Sequence, residues 1–434
     1  MLYTFNAPRI GLNTRYIRRI WPLCLGLLIF FQSATAQSID QEITLASAIQ
    51  RTLEQNPKLR VFQFRERALQ GQAQTANLRP AFELGADIEN IAGSDSFNGI
   101  DKAELTLSLS SVIELGDKRQ ARVTFVTAGR AQLEAQRQTD ALDLLGEVTR
   151  QYIQVLAAQE KLILAKDAEN LARDTFNAVQ KRAKAGATPE AEVKRAQATL
   201  AQTHLTALAQ QQQLQYRKVA LAALWGDKTP TFHRAEGNLY QYGKDVDLAE
   251  LYSRAEKNPS IQIFAAQERL QQAQLRLAQT QSSTDISWSV GIRQFQESND
   301  TALVAGFSMP LFASDRNSGA IVAAKAARDT VYLRKEAALL KLHTQLYQAV
   351  NNRQQAIMTA KTLQKDIIPS LTEALEETQE AYQRGRYSYL ELVAARQELM
   401  NVRRTMVDAA TAALLYAAEI EQLTAEPLLP PQND

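Results

Sequence analysis

The side chains that could do chemistry in this 434-residue chain are few and scattered. Its three histidines, His204, His233 and His343, fall at none of the spacings that gather ligands around one metal ion. No HExxH, GxSxG, P-loop or GxGxxG pattern occurs, and no other constellation of catalytic groups replaces them. After the first 36 residues the only sulfur atoms belong to Met309, Met358, Met400 and Met406, at strand or heptad positions where packing accounts for them. The sequence therefore predicts no enzyme, no metal site and no cofactor. Its chemistry is that of surfaces with one oily side and one wet side.

Four segments alternate apolar with polar residues. Phe82, Leu84, Ala86 and Ile88 oppose Glu83, Gly85, Asp87 and Glu89, and Leu105, Leu107 and Leu109 oppose Thr106, Ser108 and Ser110. Ile286, Trp288, Val290 and Ile292 oppose Ser287, Ser289, Gly291 and Arg293, and Leu303, Ala305, Phe307 and Met309 oppose Val304, Gly306 and Ser308. The pattern predicts two hairpins, 82–114 and 286–311, with strands of about 10 residues, the length a tilted strand needs to cross a bilayer. A half-buried sheet lying on helices alternates in the same way. Four strands are too few to close a barrel, so a membrane reading requires several chains to share one.

The elements that must position these strands repeat. Asn56-Pro57, Phe62, Glu66-Arg67, Gln70 and Gln72 recur 202 residues later as Asn258-Pro259, Phe264, Glu268-Arg269, Gln272 and Gln274. Gly186, Glu192, Ala196 and Leu200 recur 199 residues later as Gly385, Glu391, Ala395 and Leu399. This predicts a first structural repeat at 37–237, a second at 238–425 and a tail at 426–434, joined by a turn-rich connector, Gly226 to Asp247. Each half reads helix, strand, strand, helix. Asp117 to Ala185 has no proline, and Asp315 to Arg384 only Pro369, so helices of about 100 Å are expected at 1.5 Å per residue. Heptad steps support them: Leu145, Val148, Tyr152, Val155, Gln159 and Leu162, then Leu392, Ala395, Leu399, Val402, Met406, Ala409, Ala413, Tyr416 and Ile420. The last helix has a second, weaker seam at Leu390, Val393, Met400, Val407, Leu414 and Ala418, as a stave with two neighbours would; an ordinary antiparallel bundle fits the same periodicity.

Residues 1–36 read as a secretory signal: four arginines and no acid, an apolar run from Ile20 to Phe31 too short to span a bilayer, then Ala34-Thr35-Ala36. Cys24, the only cysteine, lies in that run after Leu23 and reads as signal core rather than a lipid attachment site. The remainder has 45 basic and 47 acidic residues, which leaves no electrostatic case for nucleic acid. A large exported chain without a thiol fits a bacterial periplasm or outer membrane.

Two phrases, Leu105 to Val123 and Val304 to Lys325, each run from a strand into a long helix in a manner that resembles outer membrane efflux proteins of the TolC family. Ile113-Glu114-Leu115-Gly116-Asp117-Lys118-Arg119 is most similar to the outer membrane components of cobalt-zinc-cadmium resistance pumps, and the resemblance runs from about Leu45 to Leu423. It implies a mainly α chain with a membrane β-barrel part, forming a homotrimer with a 12-stranded barrel in the outer membrane of a Gram-negative bacterium and a long periplasmic α-helical barrel. Such a duct conducts without catalysis. It works with a periplasmic adaptor, or membrane fusion protein, and an inner-membrane transporter of the resistance-nodulation-division type. Leu105, Leu107, Leu109, Ile286, Trp288, Val290 and Ile292 would face outer membrane lipid, and Glu297 to Asp300 would turn outside the cell.

The resemblance also places two periplasmic hairpin tips at Lys184 to Glu192 and Arg384 to Glu391. There it implies that Gly186, Arg384, Gly385, Ser388 and Leu390 dock the adaptor, and that Glu391 and Glu192 line the aperture. Ala394 stands where the family pattern has a second acid, and a lone glutamate in a helix's first turn is more often there because it is favourable with the helix dipole. The cargo expected is divalent heavy-metal cations. The same duct for organic compounds or type I secretion, and a periplasmic coiled-coil adaptor, are the competing readings.

Overall fold

The computed structural model describes residues 42–97, 99–244, 247–311 and 317–427. The signal segment with Cys24, the start of the second long helix at Asp315 and most of the tail lie outside the described residues. The elements run β1 (Glu42–Ile43), α1 (Leu45–Gln55), α2 (Pro57–Ala76), β2 (Glu83–Glu89), β3 (Glu104–Ile113), α3 (Lys118–Lys184), α4 (Glu190–Ala222) and β4 (Arg234–Ala235). They continue as α5 (Leu248–Ala255), α6 (Pro259–Thr280), β5 (Ile286–Phe295), β6 (Thr301–Ser308), α7 (Ser318–Thr362), α8 (Ile368–Gln383) and α9 (Tyr389–Thr424).

The repeated Asn-Pro has a physical function in both halves. Asn56 and Asn258 cap α2 and α6 by accepting from Lys58 N (2.9 Å) and Ser260 N (2.8 Å), and proline follows at the first helical position, where no N–H is needed. Each amide then reaches the end of a long helix. Asn56 donates to Leu224 O just past α4, and Asn258 to Gln422 O and Leu423 O in α9. These otherwise unpaired C-terminal carbonyls gain partners, and each half's helices are tied end to start.

The 67-residue α3 is unbroken and packs against α2, α4, α6 and α9. Its counterpart breaks once. The five residues Leu363–Ile367 form a π turn between α7 and α8, immediately before Ile368-Pro369. Proline lacks the N–H of the helical ladder and its ring collides with the preceding turn, and a widened turn accommodates both. In α9, Val407, Leu414 and Ala418 are buried in one cluster with α3, so the seam with the weaker sequence signal is buried there as well as the stronger one.

Mid-α3 is surrounded by the segment expected to be only a connector. β4 pairs in parallel with β1, Phe232, Ala235 and Leu239 are buried, and Tyr152 donates to Ile43 O (2.7 Å) and Glu236 O. Gln159 accepts from Ala235 N (2.7 Å) and donates to Ala235 O (3.0 Å). Turn residues predict where the backbone bends; they do not predict that its few apolar side chains find a cluster.

The two hairpins join into one antiparallel sheet of order β2-β3-β5-β6. β3 and β5 have the expected ten residues, but β2 has seven and β6 eight. β2 starts three residues after Pro80 and stops at Asn90, whose φ of 58° turns the chain out of the sheet.

Candidate functional site

One candidate surface is the sheet. Opposed residues of an antiparallel pair share a face, so the register sorts the side chains. Leu84, Leu109, Val290 and Ala305 form one row, and Ala86, Leu107, Ile292 and Leu303 the next. Trp288 stands between Ser111 and Phe307, and Phe82 reaches it edge-on at 6.2 Å, an aromatic row at the end from which the helices leave. Leu105, Leu107, Leu109, Ile286, Trp288, Val290 and Ile292 thus all lie on one face. It is not covered within the chain: Leu84 and Leu303 are each 83% exposed and Phe307 84%. The other face carries Glu83, Asp87, Glu89, Glu104, Thr106, serines and glycines. On it Arg293 pairs with Glu89 (2.8 Å) and Glu104 (2.9 Å) and donates to Thr106 Oγ1 (2.9 Å), binding three strands together.

The strand-to-helix phrase around Gly116 is the corner that aims this sheet. Gly116 (φ 75°) and Asp117 (φ 60°) reverse the chain, and a Cβ on Gly116 would stand 2.2 Å from Ser283 Oγ. Lys118 pairs with Asp285 (2.6 Å), and Arg122 with Glu114 (2.9 Å). Arg122 also donates to Leu78 O and Ala76 O at the end of α2, so one guanidinium ties the two ends of the first hairpin together.

The other candidate surface is the pair of helix-to-helix turns. At Gly186 (φ 73°) and Gly385 (φ 75°) the last carbonyls of α3 and α8 are closed in one pattern. Gly186 N donates to Ala183 O and Ala187 N to Arg182 O; Gly385 N donates to Tyr382 O and Arg386 N to Ala381 O. The turns are packed together. Val179, Val193, Ala196, Leu375, Tyr382, Tyr389, Leu392 and Leu399 form one buried cluster across both. Arg182 lies 4.7 Å over the Tyr382 ring and donates to Tyr382 O and Gln383 O, where a cation complements the α8 dipole. Burial raises the Tyr382 phenol above its ordinary range.

Of the expected tip residues, Arg384 and Leu390 are exposed, Arg384 pairing with Glu380 one turn back (2.9 Å). Ser388 caps α9: it accepts from Glu391 N (3.4 Å), while the Glu391 carboxylate accepts from Ser388 N (2.6 Å). That bond lowers the Glu391 pKa. Glu192 accepts from the Thr188 hydroxyl. Arg182 and Tyr382 were not anticipated, although their places four and three residues before the two turn glycines could have marked them. Behind the tips a cavity of about 240 Å³ lies between α3, α4 and α9, with Arg396 on its wall donating to Leu171 O (2.9 Å); burial lowers the Arg396 pKa. Among the described residues no cluster of histidine, cysteine or carboxylate is placed to hold a metal ion.

The family model described as outer membrane efflux protein matches residues 48–227 and 251–426. A cobalt-zinc-cadmium resistance protein of Cupriavidus metallidurans is 26% identical over 298 residues, 69% of this chain and 71% of that one. A nickel-cobalt-cadmium resistance protein of Alcaligenes xylosoxydans xylosoxydans is 22% identical over 324 residues, 73% of each chain. Among solved structures, CusC superposes with a TM-score of 0.73 at 17% identity, covering 91% of this chain and 95% of that one. The Campylobacter jejuni CmeC outer membrane channel superposes with a TM-score of 0.72 at 16% identity, covering 88% and 85%.

Proposed function

The chain belongs to the outer membrane efflux protein family, and from that premise we propose that it is the outer-membrane exit duct of a tripartite efflux pump, passing divalent heavy-metal cations. The observation that carries this reading is the sheet. A face of leucine, isoleucine, valine and aromatic side chains lies open along four strands, its reverse is polar, and β2 and β6 each leave one edge unpaired within the chain. In water that combination invites aggregation. In a bilayer it is what a barrel wall requires, because closure pairs every backbone group and lipid covers the apolar side. Three copies of the four-stranded sheet supply twelve strands, with each repeat, 37–237 and 238–425, contributing one hairpin and one tip.

The helices extend from the other end of the strands, and α3 alone is about 100 Å long at 1.5 Å per residue. Its tip would then lie far from the outer membrane, within reach of a periplasmic adaptor joined to an inner-membrane transporter of the resistance-nodulation-division type. Gly186, Arg384, Gly385, Ser388 and Leu390 form the docking surface, and the exposure of Arg384 and Leu390 supports it. Glu391 and Glu192 border the aperture, where carboxylates from three chains attract cations and repel one another. The metals named in the two resistance proteins support the cargo.

Membrane fractionation followed by sizing in detergent tests the duct: a trimer in the outer membrane is expected, and a soluble monomer would sink the proposal. For cargo, deletion is expected to lower zinc, cobalt or cadmium tolerance; unchanged metal tolerance with lost drug tolerance would assign the duct to organic compounds. Arg384→Glu is expected to weaken co-purification with the adaptor, whereas Arg334→Glu in mid-α7 is not.

A further inference from the structure

The packed seam between the two helical hairpins thins where the cavity behind the tips lies. On α3 the core positions pass from Leu162 to Val179 through Ala165, Ala168, Ala172 and Thr175. On α4 they continue from Val193 through Ala196, Thr199, Thr203 and Thr206. Both series keep the steps of 3 and 4 of a coiled-coil seam but give up its large side chains. Along α3 the cavity of about 240 Å³ falls between the buried cluster around Val155 and the one around Val179, and α9 forms its third wall.

The charge on that lining has one sign. Two arginines of α9, Arg396 and Arg404, face the cavity, and no carboxylate is among the residues that line it. Arg396 donates to Leu171 O (2.9 Å) and Gln379 Oε1 (3.3 Å), while its Nε is fully enclosed and has no partner. It forms no ion pair among the described residues, and Asp174 acts on it only from longer range. A cation withdrawn from water against a carbonyl and an amide alone keeps a desolvation cost that an anion would offset. The same cost lowers its pKa. The threonines do not relieve it. Thr175, Thr199, Thr203 and Thr206 each donate to the carbonyl one turn back on their own helix, so their protons are already used.

We propose that this cavity binds a small carboxylate with a short apolar body, the carboxylate on Arg396 and the carbon in the space left by Ala165, Ala168 and Ala172. A guanidinium meets a carboxylate best through two parallel N–H bonds, and in the side-on form of that pair one donor is Nε–H, the group left without a partner here. The space is below the roughly 300–1,000 Å³ of drug-sized sites, so the ligand is small. Arg404, exposed about two turns further along α9, adds a positive field that draws an anion in. A ligand seated there touches α3, α4 and α9 together. It joins the first helical hairpin to the second independently of the Arg182–Tyr382 contact nearer the turns. The site is built within one chain, so it goes beyond the duct reading without resting on it.

The test is amide hydrogen exchange of the full mature chain in detergent, alone and with 4-phenylbutyrate, its neutral amide or 4-phenylbutylamine. A ligand at ten times its dissociation constant that binds only the closed local structure slows exchange about elevenfold. The carboxylate is expected to do this in residues 165–175, 196–206 and 393–404, and the amide and amine are not. Arg396→Gln should abolish the protection, whereas Arg396→Lys, which keeps the charge without the fork, should retain part of it. Ala168→Leu fills the space and leaves the guanidinium in place. It should abolish protection too, so the test still decides if an Arg396 variant does not fold. No protection by the carboxylate, equal protection by the amide, or protection that persists in Ala168→Leu overturns the inference. Acetate protecting as well as 4-phenylbutyrate also overturns it, because the apolar space would then have no part. None of these outcomes bears on whether the chain forms a trimeric duct, which sizing in detergent decides separately.

Discussion

The two helical tips are copies that kept their shape and changed their contacts. Gly186 and Gly385 lie 199 residues apart, adopt φ values of 73° and 75°, and close the preceding helix with the same pair of backbone hydrogen bonds. At the same offset Arg182 matches Ala381, Ala183 matches Tyr382, and Pro189 matches Ser388. The guanidinium survives in one copy and the ring it covers in the other. Duplication supplied the turn; divergence supplied the bond between turns. The first tip has no side-chain cap on its outgoing helix, whereas the second has the reciprocal Ser388–Glu391 box.

The largest effect is expected where divergence made the contact. Tyr382 is 3% exposed within the shared cluster, so Tyr382→Ala should cost about 3 kcal/mol, in the range for deleting a buried aromatic ring. In amide hydrogen exchange of the detergent-solubilised protein, protection near both turns should fall on the order of a hundredfold, at 1.4 kcal/mol per factor of ten. If only the second tip loosens, the tips are not one unit and the comparison fails.

The next effect tests what duplication kept. Gly186→Ala and Gly385→Ala should each cost about 1–2 kcal/mol, because an added Cβ is strained at positive φ. Nothing lies within 4 Å of a Cβ at Gly186, and only Arg182 Nη2, at 3.8 Å, near one at Gly385, so crowding adds little and the two costs should match. Unequal loss of protection would mean that the turns differ in more than their side chains. A smaller difference should come from the caps: Ser388→Ala should cost about 1 kcal/mol at the start of α9. Thr188→Ala removes the hydroxyl that donates to the Glu192 side chain and should cost about half as much.

What was legible in the chain followed the same division. Backbone demands leave marks in residue type: the turn glycines and the period-2 strands were read in advance, and the Asn-Pro pairs stood out as a repeat before the structure showed them to be caps. Contacts across distant segments leave weaker marks. The Arg182–Tyr382 pairing joins residues 200 positions apart, neither unusual in its own heptad. The segment after Gly226 is rich in turn formers, yet Phe232 and Leu239 are buried because α3 offers them Val155 and Leu156. Pro369 marked a break without saying that a π turn would absorb it before the proline. The face of each strand was readable, but not the β3–β5 pairing that merges two hairpins into one wall, since register between distant strands is set by mutual packing.

The smallest expected effect is a dependence on pH at the second tip. The Glu391 carboxylate accepts from Ser388 N, and that bond holds its pKa below the ordinary 4.5. A carboxyl whose folded value is depressed adds stability above its unfolded pKa and loses it as pH falls through the folded one. Protection of the first turn of α9 should therefore be flat from neutral pH to about 5 and fall below about 4.5, once intrinsic exchange is divided out. Glu391→Gln retains an acceptor for Ser388 N but cannot titrate, so it should remove the pH dependence while leaving most of the cap at pH 7. Ser388→Ala removes the partner hydroxyl and weakens the cap at every pH. If Glu391→Gln loosens the tip as much at neutral pH as Ser388→Ala does, charge rather than hydrogen-bond geometry holds this turn, and the second tip differs from the first electrostatically as well as in its cap.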